Sequence, residues 1–164
     1  MNKLKTVFVD RDGVINQERT DYVKSISELE IYPNVAKNIK LLKDAGYLVV
    51  VITNQSAINR GIISHEVVNQ IHNSIQEYLQ KNGTYLDGFY YCPHTPNENC
   101  TCRKPKSGLL TKAISELNID PNSSWMIGDN DSDIEAANSI GCNAIKITNN
   151  FSLDNAIEKI LNWG

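Results

Sequence analysis

A chain of 164 residues with 41% hydrophobic and 21% charged residues can bury a core without disulfides or a partner, and it fits one domain over residues 1–164. The net charge of -3 excludes diffuse attraction to nucleic acid or to an anionic membrane, though not local handling of an anion. The longest apolar run, 47–52, is too short to span a bilayer and residues 1–5 show no signal-peptide core, so a cytoplasmic protein acting as a monomer is expected.

Residues 6–9 are apolar or β-branched without alternation, the pattern of a parallel strand covered on both faces. The run ends in Asp10-Arg11-Asp12-Gly13. Extended residues alternate sides, so Asp10 and Asp12 can share one pocket, where their repulsion calls for a retained proton or a cation. Residues 17–31 are polar and aperiodic and should loop over the strand end. Pro33 suits a first helical turn, Val35, Ile39 and Leu42 recur at helical spacing, and Ala45-Gly46 stops the helix. A second buried strand, 47–52, runs into Thr53-Asn54-Gln55-Ser56. Ser64 caps a helix with the apolar stripe Val68, Ile71, Ile75 and Leu79 and the stop Gly83. His65 and His72, seven apart on this helix, are expected at the surface.

Residues 89–92 predict a third strand. The following loop, 92–106, holds Pro93, Pro96 and Pro105 and cannot be fixed by apolar packing. Its Cys92, His94, Cys100 and Cys102 offer three thiolates and an imidazole, a full set for a tetrahedral structural Zn²⁺. Leu110, Ala113, Ile114 and Leu117 predict a helix, 125–127 a fourth strand ending at Gly128-Asp129, and 133–140 a short helix stopped by Gly141. A fifth strand at 144–147 and a final helix capped by Ser152 complete the chain, with Cys142, Trp125 and Trp163 as packing residues. Strand and helix alternate throughout, which predicts a doubly wound α/β fold with a parallel sheet. In such sheets ligands bind beyond the carboxyl ends of the strands, where Asp10, Thr53 and Asp129 all fall.

Convergence of Asp10, Asp12, Asp129 and Asp133 on one edge suits Mg²⁺, which takes one or two carboxylates, waters and a phosphate oxygen. The hydroxyl and amides of Thr53-Asn54-Gln55-Ser56 can hold phosphate oxygens, and Lys104, beside the fixed backbone of Pro105, can supply a cation. The plainer readings are an Asx turn at Asp10, a polar turn at Thr53 and a solvated basic patch at 103–106.

Taken together, Asp10-Arg11-Asp12-Gly13, Thr53-Asn54-Gln55, Lys104-Pro105 and Gly128-Asp129 with Asp133 resemble the four ordered motifs of the haloacid dehalogenase-like phosphatases, over about residues 6–147. Extension of the first motif through Val14-Ile15-Asn16, of the second through Ser56 with Arg60-Gly61, and the zinc loop resemble the heptose 1,7-bisphosphate 7-phosphatases; the histidinol-phosphate phosphatases share most of these stretches. The resemblance implies Asp10 as nucleophile, Asp12 as proton donor and then base, and Mg²⁺ held by Asp10, the Asp12 carbonyl and Asp129. It further implies Thr53 and Lys104 on the phosphoryl oxygens, Asp133 orienting the lysine, and Arg103 recognising the substrate. Arg11, Asn16, Asn54, Gln55 and Ser56 complete the expected substrate-binding set.

This chain departs from the pattern at Asn130, where relatives often carry Lys or Arg, and at Ala57, where close relatives have Gly. Segments between motifs leave no room for a cap domain, so an open site is expected. The expected substrate is a small phosphorylated sugar. A polynucleotide 3′-phosphatase shares the Asp-x-Asp and Thr-Asn-Gln motifs but sits poorly with the acidic balance, and a non-catalytic zinc-loop module would not need every catalytic position.

Overall fold

The computed structural model describes residues 2–163, with a parallel sheet at its centre. Its strands are β1 (Thr6–Val9), β2 (Leu48–Asn54), β3 (Gly88–Cys92), β4 (Trp125–Gly128) and β5 (Asn143–Lys146), in the order β3-β2-β1-β4-β5. The helices are α1 (Val35–Asp44), α2 (His65–Lys81), α3 (Gly108–Leu117), α4 (Asp131–Asn138) and α5 (Leu153–Leu161).

All of β1 is buried because its alternating side chains feed two separate cores. Val7 and Val9 join Val49 and Val51 beneath Ile39 of α1, Ile71 and Ile75 of α2, and Ile157 of α5. Phe8 joins Val50, Ile52 and Met126 beneath Leu110 of α3 and Ala136 of α4. Each fully buried aliphatic or aromatic side chain contributes about 1.5–3 kcal/mol, so a short strand packed on both faces is held firmly. This is the α/β arrangement expected, without a cap domain.

β1 pairs with β2 from Thr6↔Leu48 to Val9↔Val51 and with β4 from Val7↔Trp125 to Val9↔Ile127. Successive strands add on one side of β1 as β2 and β3, and then on the other as β4 and β5. The carboxyl end of β1 therefore opens at the crevice where strand order reverses, the usual ligand position in such sheets. Asp10 stands there, its N–H donating to the Ile127 carbonyl at 3.0 Å.

Helix starts follow their caps: the hydroxyls of Ser64 and Ser152 accept the N–H groups of Val67 and Asn155 at 3.1 and 3.2 Å. Two boundaries differ from expectation for hydrogen-bonding reasons. β2 continues through Thr53 and Asn54 because both stay in register with Tyr91 and Cys92 of β3. α4 begins at Asp131 rather than at 133, since Asn130 is its N-cap and donates its N–H to the Asp133 carboxylate at 3.2 Å.

His72 is a correction: it is buried, not at the surface, stacked on Phe89 with ring centroids 4.6 Å apart. Its spacing from Val68, Ile75 and Leu79 puts it within the apolar stripe of α2. His65 is exposed as expected, its Nδ1 2.9 Å from the Tyr91 hydroxyl. Trp125 and Trp163 pack edge to face at 5.1 Å, and Cys142 is buried. Among the described residues no helix is long and apolar enough to cross a membrane.

Candidate active site

Three strand ends deliver the site. Asp10 follows β1, Thr53 and Asn54 end β2, and Asp129 follows β4. Lys104 arrives from the loop between β3 and α3, and its backbone is clamped by Asn54, whose side chain accepts from the Lys104 N–H at 3.1 Å and donates to its carbonyl at 3.3 Å. Asn54, expected in the substrate-binding set, lines the cavity while its side-chain amide holds the Lys104 backbone.

The Lys104 ammonium lies 3.1 Å from Asp10 Oδ1 and 2.5 Å from Asp133 Oδ1, and it donates to the Ile52 carbonyl at 2.9 Å. Burial alone would lower the lysine's pKa, yet the charges of Asp10 and Asp133 outweigh that and hold it above its ordinary value. Asp10 is raised to about 7, first by burial, against the pull of Lys104, with Asp133, Asp12 and Asp129 adding to the rise. Burial likewise raises Asp129.

Carboxylate oxygens of Asp10, Asp129 and Asp133 lie within 4.8 Å of one another. Asp133 is already engaged by Lys104 and by the Asn130 N–H, so Asp10 and Asp129 are the carboxylates left for a metal. A hard, oxygen-lined cluster with negative charge in excess fits a divalent cation such as Mg²⁺. Two glycines make the close approach possible. A Cβ on Gly13, whose φ is +87°, would run into the Asp129 carboxylate, and one on Gly128 would run into Asp133.

Asp12 accepts from Gln55 Nε2 at 2.9 Å, from Asn16 Nδ2 at 3.0 Å and from Arg11 Nη2 at 3.0 Å. Asn16 and Arg11, expected in the substrate-binding set, are buried and do not line the cavity. Arg11 lies in the bend after β1, where its carbonyl accepts from the N–H of Ile15 at 2.8 Å and its guanidinium reaches the Asp12 carboxylate. Gln55 also donates to the Thr53 hydroxyl at 3.0 Å, so that hydroxyl is buried beneath it.

The cavity over Asp10 and Asp12 has a volume of about 430 Å³. Gln55, Ser56, Arg103 and Lys104 line it, joined by Glu18, Arg19, Arg60 and Asn130. Arg60, fixed by its Nε donating to Ser56 Oγ at 3.1 Å, was visible in the sequence only as part of Arg60-Gly61 and had no role assigned there.

Cys92, His94, Cys100 and Cys102 also come together, with ligand atoms within 4.8 Å of one another and all the cysteines free. His94 Nδ1 is 3.3 Å from Cys92 Sγ and 3.2 Å from Cys102 Sγ. Although burial pushes the Cys100 thiol up, N–H donors of Arg103 and Cys102 bring it down to about 6. Arg103 ties the cluster to the cavity, its Nη1 donating to the His94 carbonyl at 3.2 Å.

Residues 101–161 match the HAD-hydrolase-like family model. A D-glycero-β-D-manno-heptose-1,7-bisphosphate 7-phosphatase of Haemophilus ducreyi is 43% identical over 144 residues, covering 84% of this chain and 79% of that protein. One from Helicobacter pylori is 43% identical over 154 residues, covering 93% and 86%. The crystal structure of D,D-heptose 1,7-bisphosphate phosphatase from B. bronchiseptica, complexed with magnesium and phosphate, superposes with a TM-score of 0.89 at 29% identity, covering 96% of this chain and 98% of that one. Likeness of this degree over most of the length, on a sheet that carries the acids and lysine at its mouth, means that the chain belongs to the haloacid dehalogenase-like phosphatases and is a phosphatase resembling their heptose 1,7-bisphosphate 7-phosphatases.

Proposed function

We propose that this single-domain phosphatase removes the 7-phosphate of D-glycero-D-manno-heptose 1,7-bisphosphate. The observation that carries this reading is the composition of one cavity: Asp10, Asp12 and Lys104 at its floor, with the guanidinium groups of Arg60 and Arg103 on its walls for a second phosphate. The names of the relatives support the same sugar.

In this reading an Asp10 oxygen attacks phosphorus and the bond to the sugar oxygen breaks. Asp12 gives its proton to the leaving oxygen, then takes one from the water that attacks the aspartyl-phosphate, releasing phosphate and restoring Asp10. Lys104, oriented by Asp133, meets the transferring oxygens, with Thr53 as the second group assigned to them. Asp10, the Asp12 carbonyl and Asp129 would hold Mg²⁺, which when bound supplies charge to offset the phosphoryl oxygens. The Cys92, His94, Cys100 and Cys102 cluster would hold a structural Zn²⁺ that fixes the loop bearing Arg103 and Lys104. A monomer in the cytoplasm, acting on a small sugar rather than a nucleic acid, completes the reading.

The test compares kcat/KM on both anomers of the heptose 1,7-bisphosphate, on histidinol phosphate and on a 3′-phosphorylated oligonucleotide. A heptose bisphosphate should be preferred. Faster turnover of either other substrate overturns the assignment.

A further inference from the structure

His72 has no place in the reaction above, yet it is a buried titratable group at the back of the site. Its Nε2 lies 3.2 Å from Arg11 Nη1. Arginine has only donors, so Nε2 must accept, which leaves the imidazole proton on Nδ1. The other arm of the same guanidinium, Nη2, reaches the Asp12 carboxylate at 3.0 and 3.3 Å. Arg11 is 1% exposed, and its charge is thus fixed between a neutral acceptor and an acid. From β3, Phe89 stacks on the imidazole at an interplanar angle of 15° and Tyr91 meets its edge, with centroids 5.8 Å apart.

We propose that His72 is a positioning residue for the proton transfer: by accepting from Arg11 it sets the guanidinium, and through it the Asp12 carboxylate, at the leaving oxygen. Among the described residues, Arg11 from the loop after β1 and Phe89 and Tyr91 from β3 meet the ring, with Asp12 beyond the guanidinium. Burial, with the charge of Arg11 added, lowers the imidazole's pKa to about 3, so it stays a neutral acceptor at working pH. An imidazolium would place a second cation against the guanidinium and lose the lone pair that holds it.

The inference rests on Asp12 as the acid, and leaving-group dependence separates the two. A sugar alkoxide needs a proton to leave, whereas p-nitrophenolate does not, and kcat/KM reports the step in which it leaves. His72→Met should lower kcat/KM on the heptose bisphosphate about tenfold or more and on p-nitrophenyl phosphate by less than about twofold. His72→Gln keeps an acceptor and should recover activity to within about threefold of wild type. Asp12→Asn should show the same selectivity more strongly. If Asp12→Asn loses both substrates equally, the acid assignment falls and the inference falls with it. If Asp12→Asn is selective but His72→Met is not, or if Gln is no better than Met, the inference alone is overturned. Should the Met variant fail to fold, imidazole ¹⁵N spectra of the wild-type protein decide. They should place the proton on Nδ1 between pH 6 and pH 8, about the range where free histidine titrates; a protonated Nε2 overturns the proposal.

Discussion

Lys104 and Lys24 each sit between two carboxylates, but Lys24 finds both within four residues while the partners of Lys104 are Asp10 and Asp133, far away in the sequence. Lys104 bridges Asp10 and Asp133 with 3% of its side chain exposed, whereas Lys24 reaches Asp21 at 2.8 Å and Glu28 at 3.3 Å with 34% exposed. In the buried trio no water can replace a lost partner, so each group fixes the charge and place of the other two. The exposed trio in the loop before α1 is screened by solvent, and its members can exchange water for one another. A lysine between two carboxylates thus makes a fixed, buried centre in one place and a solvent-screened pair of contacts in the other.

Replacing Asp10, one acid of the buried trio, is the strongest way to break the comparison. Asp10→Asn removes the nucleophile and should reduce kcat by at least about 10⁴-fold, with no phosphoenzyme in rapid-quench samples; wild-type turnover would end the covalent mechanism. Lys104→Met leaves Asp10 and Asp133 facing each other without a cation. It should lower kcat/KM about 10²–10³-fold and, by breaking a buried pair, cost about 3–5 kcal/mol in urea unfolding.

The loop of Cys92, His94, Cys100 and Cys102 tests whether a metal can do for a proline-rich segment what burial does for the trio. Cys100→Ser should lower Tm by about 10 °C, on the order of 3 kcal/mol, and chelator-treated wild type should melt at the same temperature. Protein purified without zinc and melting as before would remove the metal from the account. At the weak end, Lys24→Ala should move Tm by about 2 °C or less, and any change in KM should shrink as salt is added. A larger loss of stability would show that the loop's ion pairs act as a structural unit.

Much of the fold was legible because both faces of the sheet are covered. An unbroken apolar run such as Thr6–Val9 has no half-exposed alternative, and its observed limits match the expected ones. Helix starts at Ser64 and Ser152 were legible from side-chain chemistry that acts within three residues. Asp10, Asp12 and Asp129 were legible because charge at the end of a buried strand has few other uses. His72 was misplaced for want of a rule already in use: the spacing of Val68, Ile75 and Leu79 includes it.

By itself the sequence determined the strand-and-helix order, the capped helix starts, and the acids and lysine of the phosphatase motifs, since each depends on residues near one another in the chain. Only the tertiary structure decided that Asn54 clamps Lys104 and that His72 meets Arg11. Those contacts join residues 50 and 61 positions apart, and no local pattern specifies them. They follow from the sheet order, which fixes which strand ends open on the same crevice.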